Sequence, residues 1–219
     1  MRRGEELSKH AALRQTPYRL ARARARLRQI HGDLDGAPAL LDEAERLYIR
    51  GAVPEVRPVA ALKARCWLGQ DRLAEARDWV SQNNLSVDDP LEYMREFEHI
   101  TLARVLLAHS DTSSVLQARR FLERLLPAAE QGGRTGSVIE ILVLRAIAHQ
   151  MRGDMRAGLA LLQRAMTLAG TEGYVRIFVD EGAPVRELLR HAVRMASLPR
   201  MPSGFWLRAC GTRRSPIDW

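Results

Sequence analysis

The chain has 219 residues, enough for one sizeable core or a stack of roughly four to five helix pairs. Aromatic residues make up only 5%, while alanine and leucine dominate, which favours helices over strands. The net charge of +8 is carried almost wholly by arginine, since Lys9 and Lys63 are the only lysines. These arginines are scattered along the chain. Even the densest run, Arg19, Arg22, Arg24, Arg26 and Arg28, winds around a helix instead of forming one stripe. An arginine-preferring composition therefore accounts for the charge better than a nucleic-acid footprint, and no direct DNA binding is expected. Cys66 and Cys210 show no metal-ligand spacing. Cys66, beside Trp67, reads as a core thiol in a reducing compartment. Residues 1–10 lack the apolar stretch of a signal peptide. The longest apolar segment, 138–151, is too short to span a bilayer and is broken by Glu140 and Arg145. A soluble, cytoplasmic protein without membrane contact is expected.

Residues 1–15 form a tail or partial cap. The first predicted helix covers 17–31, with Thr16 as its cap and Pro17 in its first turn; Gly32 and Asp33 break it. A second covers 36–50 and carries Leu40, Leu41, Ala44 and Leu47 at three-to-four spacing, ending at Gly51. The second pair occupies 54–68 and 72–82 around the turn at Gly69, Gln70 and Asp71. Asn83 and Asn84 close it, because asparagine tolerates a left-handed C-terminal cap. Asp88, Asp89 and Pro90 open a helix reaching 109. The turn at 110–113 leads to a helix over 114–131. The fourth pair follows Gly132 and Gly133, over 137–151 and, past Gly153 and Asp154, to 168. The repeats thus fill 16–170. Residues 173–182 are aromatic and β-branched and read as an extended or short helical capping segment. Pro184 opens a last helix with Val185, Leu188, Leu189 and Ala192 on its apolar face, completing a capping region over 171–195. Residues 196–219, with three prolines and no apolar period, read as an irregular tail.

A ladder of small residues runs through the predicted helix pairs. Ala37, Ala76, Ala118 and Gly158 lie at intervals of 39, 42 and 40 residues, each early in a helix and just after a turn. Four positions after each comes an apolar residue: Leu41, Val80, Leu122 and Leu162. A period near forty is the signature of a helix-pair solenoid. Two antiparallel helices that cross close to their connecting turn need a residue with little side chain at the contact, and leucines further on fill the groove. The fold class is therefore all-α, a tetratricopeptide-like helix-pair solenoid of about four pairs plus a capping helix.

No catalytic or metal constellation is legible. The six histidines show no ligand spacing, and no nucleophile elbow occurs. The segment from Gly132 to Ser137 has the glycines of a phosphate cradle, but neither the preceding strand nor the lysine. It reads as an interhelix turn with Thr135 or Ser137 as cap. Trp67 and Trp79 read as packing between repeats. Glu92, Arg95, Glu96 and His99 form a polar stripe, whereas Glu98 and Arg104 fall among apolar neighbours. Glu140 and Arg145 interrupt a helix that is apolar nearly all round, so it is buried on most sides and its charges need partners or a groove. Two readings stand: inter-repeat salt bridges, or a groove in which Glu98, Arg104, Arg134, Glu140 and Arg145 meet an effector or partner. No cofactor is implied.

Several stretches carry a family resemblance. They are Gly32-Asp-Leu-Asp-Gly-Ala37 with Leu41-Asp-Glu-Ala-Glu-Arg-Leu47; Leu73-Ala-Glu-Ala76; and Arg95-Glu-Phe-Glu-His-Ile-Thr-Leu-Ala-Arg-Val-Leu-Leu-Ala108. Two more are Gly132-Gly-Arg-Thr-Gly-Ser-Val-Ile-Glu-Ile-Leu-Val-Leu144 and Glu172-Gly-Tyr-Val-Arg-Ile-Phe-Val-Asp-Glu-Gly182. In this order the set resembles the tetratricopeptide-like sensor region of the large ATP-dependent, MalT-like LuxR-family transcription regulators, over about 16–193. The resemblance implies a helical superhelix lying between a P-loop ATPase and a LuxR-type helix-turn-helix. That superhelix receives an inducer or partner protein and controls oligomerisation. This chain has no G-x-x-x-x-G-K-[ST] loop and no helix-turn-helix pattern after Val193, so the resemblance implies the sensor role alone. The change near Ala196 has the look of a truncation or frameshift. A free-standing interaction adaptor and a non-functional remnant are the alternative readings.

The small-residue ladder makes a direct prediction. Ala118→Phe is expected to lose about 1–3 kcal/mol through overpacking. An unchanged melting temperature would count against a close helix contact at that rung.

Overall fold

The computed structural model describes residues 15–49, 55–170 and 174–194. Among the described residues it is helical, with no strand. Two compact units meet in the sequence between Ala108 and His109. The first holds α1 (Thr16–Ile30), α2 (Gly36–Leu47), α3 (Val59–Gly69), α4 (Leu73–Gln82), a 3-10 turn at Tyr93–Arg95, and α5 (Glu96–His109) up to the boundary. The second holds α6 (Thr112–Gln131), α7 (Thr135–Met151), α8 (Met155–Gly170), the short α9 (Val175–Val179) and α10 (Ala183–Arg194).

In the first unit α1 packs on α2, α2 on α3 and α3 on α4. The face that α1 buries is narrow: Tyr18, Ala21 and Ala25, at three- and four-residue spacing, leave the rest of the helix to arginine. These residues join Ala37, Leu41, Ala44, Val59 and Cys66 in one apolar cluster. The Cys66 thiol is 1% exposed and takes a hydrogen bond from Gln29 Nε2 at 2.7 Å. Burial pushes the thiol above its ordinary pKa, with Gln29 and Arg26 pulling the other way. Asn84 closes the α4 region in the left-handed conformation (φ +48°), as its residue type predicts, and Asn83 Nδ2 donates to the Trp79 carbonyl at 2.8 Å. Trp79 is buried, whereas Trp67 is half-buried beneath the Lys63 ammonium.

Several boundaries differ from expectation. Thr16 does not cap α1; Gln15 occupies the cap position and its side chain instead donates to the Ile49 carbonyl. Tyr48, extended at φ −66° and ψ 123°, ends α2 at Leu47, and its ring meets Tyr18 edge-on at 5.2 Å between centroids. Arg50, Gly51 and Pro54 lie outside the described residues, as do 1–14 and the tail at 196–219. Within the turn expected at Gly69, Gln70 and Asp71, Asp71 takes the left-handed conformation (φ +58°), while Gly69 is still the last residue of α3. Most consequentially, α5 does not begin at Pro90. Asp89 turns its carboxylate back on the Ser86 amide and onto His99, which spends it in a loop, and helix starts only at Glu96. Glu96 and His99, two members of the polar stripe, are buried.

The second unit is organised around α7. Its Val138, Ile139, Ile141, Leu142, Val143, Leu144, Ala146, Ile147 and Ala148 are buried, because α6, α8, α9 and α10 all pack against it. The near-continuous apolar sequence of 138–151 is thus that of a helix surrounded by others. At Gly158 an added Cβ would lie 3.0 Å from the Ala146 carbonyl oxygen and 3.5 Å from Leu188 Cδ2. Ala37, Ala76 and Ala118 have no exposed surface. Asp111 caps α6, its Oδ1 accepting from the Ser113 and Ser114 amides at 2.9 and 3.0 Å. Pro127 sits within α6 and withholds the hydrogen bond that the Glu123 carbonyl would otherwise receive. The segment after α8 resolves as the short helix α9, and α10 buries Val185, Leu188, Leu189 and Ala192, the face its spacing predicts. Neither Thr135 nor Ser137 caps α7; Arg134 holds that position without a side-chain cap bond.

Two predictions follow from this packing. Gly158→Leu drives a side chain into a backbone carbonyl, which yields less readily than a side chain does. A loss of about 1–3 kcal/mol is expected in urea unfolding. For Asp111, hydrogen bonds from the side chain and amide of Ser114, then from the Ser113 amide and His109, lower the carboxyl pKa from 3.8 to about 2 against opposing desolvation. A depressed carboxylate stabilises the fold above its unfolded pKa, and the stabilisation fades as pH falls toward the folded value. The stability gap between wild type and Asp111→Ala is therefore expected to be steady above about pH 5 and to narrow between about pH 4 and 2, as read by acid titration of helicity.

Candidate functional site

The charged residues singled out from the sequence fall in both units. Glu98 and Arg104 lie on α5 in the first. Six residues of helix separate them by about 9 Å along the axis and turn them to different faces. Glu98 is half-buried, with Arg95 Nε 3.8 Å from its Oε2. Burial holds the Glu98 carboxyl above the usual range; Arg95 opposes this and Asp89 adds to it. Asp89 is the hub of this end of α5. Its Oδ2 lies 3.2 Å from the Ser86 amide, 3.3 Å from Nε2 of the fully buried His99 and 3.4 Å from Arg95 Nη1. Desolvation works to raise the Asp89 pKa, but these three partners together hold it below the ordinary value. The Arg95 Nη2 also donates to the Asn83 carbonyl at 3.2 Å, so the loop from α4 is tied to α5 through His99 and to the 3-10 turn before it through Arg95.

Arg134, Glu140 and Arg145 belong to the second unit and do not gather into one cluster. Arg134 folds back over the end of α6. Its Nη2 donates to the Ala128 carbonyl at 2.6 Å, and its Nη1 fills the space where a Cβ on Gly132 would stand. A guanidinium there satisfies a C-terminal carbonyl and faces the negative end of the helix dipole. Glu140 is half-buried on α7. Arg145 lies about 16 Å along α7 from Arg134. Its Nη2 is 3.7 Å from Glu123 Oε1 on α6, the inter-repeat contact that one of the two sequence readings expects.

Around Arg145 the structure assembles a group that the sequence reading missed. Arg119 Nε also lies 3.7 Å from Glu123 Oε1, and Arg164 on α8 pairs with Glu130 near the end of α6. Arg119, Glu123, Arg145, Glu130 and Arg164 thus form a charged ladder across three helices, with three cations to two anions. Burial lowers the Arg145 pKa; Glu123 opposes this, while the charges of Arg164 and Arg119 lower it further. The four-residue step from Arg119 to Glu123 and the seven-residue step to Glu130 mark one face of α6 in the sequence. The meeting with α7 and α8 has no local signal.

A separate cleft of about 410 Å³ opens where α10 begins, lined by Gln150, Met151, Met155, Ala183, Pro184 and Glu187. Among the described residues no group of three or more His, Cys, Asp or Glu side chains is placed to hold a metal ion. None of the described helices is long and apolar enough to cross a membrane. The chemistry these places offer is recognition: paired charges, half-buried guanidinium groups and a small apolar cleft on paired helices.

The comparisons with known proteins bear on the same architecture. The family model of the MalT-like TPR region matches residues 1–195. No curated protein and no solved structure matches the chain. A match over most of the length, on a chain whose helices pack in consecutive pairs, identifies it: the chain belongs to the family of MalT-like TPR regions.

Proposed function

We propose that this chain is the sensor and oligomerisation segment of a LuxR-type transcription regulator, working in the cytoplasm and binding an effector or a protein partner without catalysis. The observation that carries the reading is the family match over 1–195, since a tetratricopeptide-like region is a protein-interaction fold. Half-buried charges on the paired helices supply polar recognition points, with Glu98 and Arg104 on α5 and Arg134, Glu140 and Arg145 in the second unit as the residues of interest. The mechanism is a shift of population. A ligand moves the helix stack only by the difference in its affinity for two arrangements, so its contacts must differ between them.

The test is thermal unfolding of the chain against a panel of neutral oligosaccharides, amino acids, nucleotides and sugar phosphates, with light scattering to follow self-association. One ligand class is expected to raise the melting temperature progressively with concentration, as mass action requires, and to emerge chemically unchanged. Arg104→Ala or Glu140→Gln is expected to weaken that ligand about tenfold if the side chain contacts it. A chain that responds to no compound and stays monomeric at every concentration would remove the proposal.

A further inference from the structure

The ladder on α6, α7 and α8 has one feature that an internal salt-bridge network does not explain. Glu123 sits between Arg119 and Arg145, yet its Oε1 is 3.7 Å from each, beyond hydrogen-bond reach. The Nε atoms of both arginines are buried and lack a hydrogen-bond partner. An arginine presents its Nε and one Nη as a planar fork, made for two oxygens of a carboxylate or phosphate. Here the Nε–H of each fork is withdrawn from water and left without an acceptor, which costs free energy until one arrives, while the side chains of Arg119 and Arg145 stay 35% and 18% exposed and so reachable. A third guanidinium, Arg164, approaches from α8, close enough for its charge to act on Arg145.

We infer that Arg119, Arg145 and Arg164 form a binding site for a phosphate oxyanion, and that Glu123 is the carboxylate it displaces. Glu123 is 43% exposed and makes no hydrogen bond to either arginine, so it can turn to solvent without losing one. The entering group brings three or more oxygens where Glu123 has two, enough to serve the forks of Arg119 and Arg145 and to reach toward Arg164. Glu130 remains with Arg164, so that side of the site keeps one negative charge and favours a phosphomonoester or inorganic phosphate over a more highly charged polyphosphate. The inference deepens the effector-binding reading and rests on it only for biological meaning; the oxyanion chemistry stands on the geometry of the second unit.

The experiment is calorimetric titration of the whole chain at fixed ionic strength with inorganic phosphate, glucose 6-phosphate and glucose. Saturable binding of the two phosphates and none of glucose is expected. If both phosphates bind equally, the source is the free ion; tighter binding of the sugar phosphate marks a phosphorylated metabolite. Arg145→Gln is expected to weaken binding at least about tenfold. Arg164→Gln, at a more exposed position, tests the same site should the first variant unfold. Glu123→Gln is expected to strengthen binding several-fold, whereas Glu187→Gln, the same charge change at the cleft, leaves it unaltered. Equal effects of the two glutamate variants, or phosphate binding insensitive to both arginines, would mean nonspecific attraction to a basic protein and overturn the inference. Failure here with a surviving response to a neutral ligand would leave the effector reading intact; loss of both would remove the two together.

Discussion

At the crossing of α7 and α8, the place where a side chain would begin on Gly158 is occupied by the approach of the Ala146 carbonyl, 3.0 Å away. That contact sets how near two helix backbones come, and much of the second unit depends on it. With α8 drawn close, Leu162, Ala165, Met166 and Ala169 reach the buried side of the unit, and Leu188 of α10 closes over the same glycine. A helix as apolar as α7 is stable in water only when it is covered on several faces, and close approach lets four neighbours share its surface. Alanine in place of larger residues has the same effect in the first unit, where Ala21, Ala25, Ala37 and Ala44 bring α1 and α2 together with few aromatic rings.

How much of this was legible depends on whether the signal was local. Asn84 in the left-handed conformation and the apolar face of α10 follow from residue type and helical spacing. So does the burial of α7, because nine buried positions in seventeen leave no wide polar face. The misreadings share a cause. Asp89 looked like a helix start because Asp before Pro commonly is one, but His99, ten residues on, recruits its carboxylate and keeps the loop open. Thr16 and Thr135 had the chemistry of caps, yet the helices begin one residue earlier or elsewhere than a cap there requires. In each case a tertiary or turn contact outbid the local preference.

The charges show the same division. An arginine-rich composition says little by itself, and the arginines adopt distinct roles. Arg65 lies over the Phe97 ring at 3.8 Å and donates to Thr101 Oγ1 at 2.8 Å, combining stacking with a hydrogen bond as lysine cannot. Arg22 reaches both Tyr18 and Glu55, and its pKa is lowered by burial and then by Arg57. Others tie a loop to a helix, cap a carbonyl or stand in the ladder around Arg145. Among the described residues these arginines thus serve separate structural duties, in keeping with a sequence distribution that shows no stripe.

The thiol of Cys66 gives this packing a chemical clock. It lies in the apolar cluster shared by α1, α2 and α3, and burial keeps it in the protonated, unreactive form. Alkylating reagents reach such a sulfur only when α1, which carries Gln29, lifts away from α3. The rate at which this one atom is modified therefore measures how often the first helices part, a local breathing motion that a melting curve averages away.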